Sequence, residues 1–127
     1  MQAYAEEAVE EHIQVLQKQL ASNWGRSRPW GKEPGLLTYA FENSRRYKRM
    51  QANGKSKEAI NRAFAKPAKM SMYYPEGNRI ITSSPLDSIK HLLFQLKAGF
   101  VVTENRSGNV LAYVGSPDYQ FFQYDYA

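Results

Sequence analysis

The stretch Lys97–Ala127, KAGFVVTENRSGNVLAYVGSPDYQFFQYDYA, decides the fold. Gly99 is a natural stop for the apolar helix that precedes it. Phe100–Glu104 and Val110–Val114 then read as two strands, and Asn105–Asn109 supplies the turn between them. The start of FVVTE is apolar on both faces, which predicts a strand covered by helices rather than an edge facing water. A two-stranded hairpin buries too little to stand alone. The expectation is therefore a piece of a larger protein whose sheet continues. Without those neighbours, Tyr119–Tyr126 is expected to be disordered or paired with a second copy.

Upstream, Ser84 offers a helix cap, Pro85 suits the first helical position and Asp87 completes a capping box. Leu86, Ile89, Leu92, Leu93 and Leu96 recur at helical spacing, so Pro85–Lys97 is expected to be the helix that carries the hairpins. Before it, the period is two: Met70 and Met72 alternate with Ser71 and Tyr73, and a Pro75–Asn78 turn leads into Arg79–Thr82. The first half is helical. Ala5, Val9, Ile13, Leu16 and Leu20 stripe a helix over Gln2–Ala21. Leu36–Gln51 predicts a second helix ended by Asn53-Gly54, and Ser56 caps a third that runs to Phe64 before Pro67. Between the first two lies a polar connection, Ser22–Gly35, whose Trp24 and Trp30 are large enough to pin it to the body. The fold class is α+β, with helices in the N-terminal half and short antiparallel β-hairpins packed on a helix in the C-terminal half.

Composition bounds the rest. The chain has 127 residues, 43% hydrophobic and 23% charged, which is one ordinary globular domain rather than a disordered tail. Cysteine is absent, which removes disulfides and thiolate metal sites. No run of apolar residues is long enough to span a bilayer, and the acidic start of the chain is unlike a signal peptide. The net charge of +5 permits weak attraction to anionic polymers.

Catalytic patterns are missing. The two histidines, His12 and His91, lack any H-x-x-x-H or E-x-x-H spacing, and Glu6, Glu7, Glu10 and Glu11 spread round their helix as a solvated face. There is no phosphate-binding glycine loop and no G-x-S-x-G elbow. No lysine has a serine three positions before it, and K-T-G does not occur. Ser107-Gly108-Asn109 matches S-x-N, but its place between two strands makes it a turn. Arg45, Arg46, Lys48 and Arg49 read as a solvated helix face, with Glu42 spaced to pair with Arg45. Trp24, Arg26, Arg28 and Trp30 form the better candidate partner or glycan surface, since aromatics flanked by arginine suit sugars, nucleotides or a protein partner. The sequence assigns no catalytic, cofactor-binding or metal-binding residue.

Ala98–Tyr119, AGFVVTENRSGNVLAYVGSPDY, resembles a segment of class A penicillin-binding proteins of the form G-x-V-x-x-D-P-x-T-G-x-V-x-A-x-V-G-G-x-D-Y. Gly99, Val101 or Val102, Gly108, Val110, Ala112, Val114, Gly115, Asp118 and Tyr119 match, while Glu104-Asn105-Arg106 and Ser116 depart from it. Ala65–Phe100, with its SPLDSI block at Ser84–Ile89, is similar to the Bacteroidetes-type version of the family. Gln2–His12 resembles the helix after the short linker that follows the glycosyltransferase domain.

The resemblance implies a periplasmic parent anchored by an N-terminal transmembrane helix, carrying a glycosyltransferase and a serine D,D-transpeptidase for peptidoglycan synthesis. It implies that Gln120–Ala127, QFFQYDYA, stops just short of the catalytic S-x-x-K. Residues 1–66 would be a helical interdomain linker and insertion, and 67–127 a β/α segment ending in the first two transpeptidase strands. The partners implied are the two flanking domains, with peptidoglycan or cell-wall regulators as further ones and no nucleic acid. The family's insertion allows a partial OB-like barrel, although this chain has too few strands to complete one. The competing reading is a stand-alone basic module that binds an anionic polymer or a protein.

Overall fold

The structure is a computed structural model that describes Met1–Phe122 and Tyr124–Ala127. Among these residues the elements run α1 (Gln2–Trp24), α2 (Pro29–Lys32), α3 (Pro34–Asn43), α4 (Arg45–Ala52), α5 (Lys57–Ala65), β1 (Ala68–Met72), β2 (Arg79–Ser83), α6 (Pro85–Phe94), β3 (Phe100–Thr103) and β4 (Val110–Val114). Helices fill the first half, and two antiparallel hairpins, β1–β2 and β3–β4, form separate two-stranded sheets. The α+β class holds. Among the described residues no barrel closes, because neither sheet has a third strand.

The chain folds into two units, each assembled from separate stretches. The first comprises Met1–Gly25, Tyr73–Gly77 and Gln95–Ala127, and the second Arg26–Met72 and Asn78–Phe94.

In the first unit α1 carries the β3–β4 hairpin. Ala5, Ala112 and Val114 are buried together, with Val9 and Val102 packed on them. Small residues at 5 and 112 let helix and strand approach closely. The Gln2 carboxamide fixes the register by bonding the Tyr113 backbone twice: its Nε2 donates to the carbonyl and its Oε1 accepts from the amide, both at 2.7 Å. The helix expected to bear this hairpin, Pro85–Lys97, belongs instead to the other unit up to Phe94. Local periodicity marked both helices as one-sided but could not say which sheet each one covers.

β3 also departs from expectation. Phe100 and Val101 are each 43% exposed, one on each face of the strand: α1 covers only the face that carries Val102, which leaves Val101 open, and Phe100 on the covered face borders the space between α1 and the segment before β3. The residues that follow β4 fold back onto their own unit. Phe122 is buried against Tyr73, ring centroids 4.9 Å apart and edge to face, and the Tyr126 amide donates to Gly115 O at 2.7 Å. Of the QFFQYDYA segment, Gln123 lies outside the described residues.

In the second unit the core is Tyr47, Ile60 and Phe64, with Phe41, Met50, Leu86 and Ile89 packed round it. One long helix over Leu36–Gln51 does not form. Ser44 breaks it, with extended backbone (φ −65°, ψ 147°) and a hydroxyl that donates to Phe41 O at 2.8 Å and accepts from the Tyr47 amide at 3.3 Å. The break turns Tyr47 into the core beside Phe41, their rings edge to face at 5.0 Å. α4 then ends on Gly54 (φ 76°), with Gly54 N–H bonded to Gln51 O and Lys55 N–H to Met50 O, a Schellman closure. Ser56 and Ser84 cap their helices through the Ala59 and Asp87 amides, as expected.

Candidate functional site

Chemistry that breaks or makes bonds needs converging reactive groups, and the places where the sequence offered them resolve into structure. Among the described residues no trio of His, Cys, Asp or Glu is placed to hold a metal ion. His12 lies on α1 in the first unit and His91 on α6 in the second. Glu6, Glu7, Glu10 and Glu11 are all exposed. Ser107 is committed to the hairpin turn: its hydroxyl donates to the Glu104 carboxylate and accepts from the Asn109 amide, while Gly108 takes the left-handed conformation the turn requires (φ 74°).

Trp24, Arg26, Arg28 and Trp30 are divided between the units, Trp24 ending α1 in the first and the other three opening the second. Both tryptophans are half-buried and Arg26 is exposed. The Arg28 guanidinium lies over the Phe94 ring, 4.4 Å from its centroid, and donates to Ser27 O at 2.7 Å. Arg28 therefore fastens the start of the second unit to α6.

Two surfaces stand out among the described residues. In the first unit a cavity of about 510 Å³ opens between the α1 stripe, at Val9, Ile13 and Leu16, and the extended segment from Leu96 to Phe100. It is walled mainly by apolar groups, with His12 and Lys97 as its basic members. Burial pulls the Lys97 ammonium below the ordinary lysine range. The segment stays out of α6 because the Leu96 amide donates to Gln17 Oε1 of α1 at 2.8 Å. The apolar stripe foretold a docking face on α1, but nothing local foretold that it would be only partly covered.

The second surface is α4. Tyr47 and Met50 point into the core while Arg45, Arg46, Lys48 and Arg49 are all exposed. Lys55 and Lys57 continue the basic run, so Ser44–Lys57 holds six cations and no acid. Helical spacing marks only Arg45–Arg49; a running charge count joins Lys55 and Lys57 to it.

The penicillin-binding protein middle domain family matches residues 23–96, more than half of the chain and the whole of the second unit, and the chain belongs to that family. No curated protein and no solved structure matches the chain.

Proposed function

We propose that the chain is the non-catalytic middle of a class A, Bacteroidetes-type bifunctional penicillin-binding protein in bacterial cell-wall synthesis. Residues 1–66 serve as interdomain linker and insertion, and 67–127 lead into the first two transpeptidase strands. The region sets the spacing between a glycosyltransferase and a D,D-transpeptidase and offers a docking surface to peptidoglycan or a regulator. The parent lies on the periplasmic side of the inner membrane, anchored by a transmembrane helix. None of the helices described here is long and apolar enough to cross a bilayer.

The observation that carries this reading is the family match over 23–96, followed in the chain by a hairpin with the transpeptidase-like pattern of Gly99, Gly108, Val110, Ala112 and Val114. The hairpin's geometry supports it. β3 pairs only with β4 among the described residues, which leaves an edge where a further strand can add, and the exposed Phe100, Val101, Val110 and Leu111 leave apolar surface for further layers to cover. A non-catalytic role is supported by Ser107, which is held in its turn. The coding sequence on either side tests the parentage. An S-x-x-K within a few tens of codons downstream and glycosyltransferase glutamates upstream are expected. A gene that encodes this stretch alone would overturn the reading.

A further inference from the structure

The charge of this chain is gathered in one place. Ser44–Lys57 contributes six positive charges to a net of +5, so everything else carries 11 basic and 12 acidic residues and is almost balanced. The structure turns that stretch into a face. At about 100° per residue, Arg45, Arg46, Lys48 and Arg49 fall within an arc of roughly 160° opposite Tyr47 and Met50. Tyr47, 7% exposed, fixes the helix in the core, and the Schellman turn at Gly54 brings on Lys55 and Lys57, both exposed. The nearest acids in sequence, Glu42 and Glu58, lie outside the stretch on α3 and α5.

We propose that α4 and the turn after it adsorb onto an anionic phospholipid surface. The inference deepens the reading above and rests on its membrane-anchored parent.

The form of the face favours a bilayer over other polyanions. It is the exposed side of a short helix. Its one aromatic, Tyr47, is buried and unavailable for stacking on bases, which single-strand binding requires. Its apolar side is spent on Ile60 and Phe64, so the helix does not insert. Attraction is then a sum over long, flexible cationic side chains reaching headgroup phosphates, and it falls off within a Debye length. Such contact would hold the second unit close to the membrane.

The test is co-sedimentation of the 127-residue chain with vesicles of phosphatidylcholine doped with phosphatidylglycerol, against phosphatidylcholine alone. Binding is expected only to the anionic vesicles. It should disappear between about 0.1 M and about 1 M salt, as the screening length shrinks from roughly 10 Å to 3 Å. Each cation removed should weaken partitioning about fivefold, so R46Q/K48Q/R49Q should lose about a hundredfold. The charge-conserving R46K/R49K should bind like the parent chain.

K18Q/K69Q/R106Q removes the same charge from exposed sites elsewhere and should change binding little. Circular dichroism of each variant checks that it is folded. Equal loss in both triple variants would reduce the effect to net charge and overturn the proposal. So would absence of vesicle binding at low salt, or tighter binding to duplex nucleic acid or polyphosphate than to the vesicles. Any of these outcomes leaves the parentage intact, because that is decided by the flanking coding sequence.

Discussion

Phe41 of α3 and Phe64 of α5 meet edge to face, their ring centroids 4.7 Å apart and their planes at 76°. Phe64 and Ile60 are each 1% exposed, the most deeply buried large side chains described. The family-matched unit is thus built on one aromatic contact between helices separated in sequence by the basic α4.

Phe64→Ala should therefore cost about 3–5 kcal/mol, enough to unfold a marginal domain, whereas Ile60→Val should cost about 1 kcal/mol. Urea denaturation followed by circular dichroism reads both. Similar small losses for the two would place the core elsewhere.

Ser44 carries the break that lets Tyr47 reach Phe41. Ser44→Ala removes the hydroxyl that serves two backbone groups and should lower stability by about 1 kcal/mol. Ser44→Asp should recover most of it, since aspartate caps as well and sits at a helix N-terminus. Thermal melts of the three proteins make the comparison.

Gly99 and Gly54 are glycines for different reasons. A Cβ on Gly99 would overlap the backbone of Tyr126 and Ala127, while one on Gly54 meets nothing but stands at φ 76°. Gly99→Ala should push the C-terminal residues off the first unit and cost about 1–3 kcal/mol. Loss of hydrogen-exchange protection at the Tyr126 amide, which bonds Gly115 O, is the readout. Gly54→Ala should cost about 1–2 kcal/mol and leave that amide protected.

Tyr73 gives the first unit an alkaline limit. Burial, then the nearby carboxylates of Asp118, Glu76 and Glu10, push its phenol up to about 12. The folded state holds this proton more tightly than the unfolded chain, whose tyrosine ionises near 10. The resulting stability is fully present below pH 10 and is lost as pH rises towards 12. Tyr73→Phe should flatten this decline. A tyrosinate absorbance titration should show one phenol fewer ionising last.

The parts of the fold legible in the sequence are those decided within a few residues. Ser56 and Ser84 cap as read, Gly108 turns the hairpin, and Pro67 follows a helix end. What was hidden depends on distant partners. Ala5 meets Ala112, and Gln17 captures the Leu96 amide, ending α6 before the Gly99 stop; neither pairing leaves a local pattern. Ser44 was a readable signal outweighed by the continuous periodicity around it. The candidate surface was legible in composition only: that Arg28 stacks on Phe94 leaves no local pattern.

The proposed role is that these residues hold catalytic domains in place and contain no catalytic serine. The direct measurement is fluorescent penicillin labelling of the full natural polypeptide, with the adduct located by mass spectrometry. One acylated serine beyond residue 127 and an unlabelled stretch from Met1 to Ala127 are expected. An adduct on any serine within that stretch, Ser107 included, would contradict it.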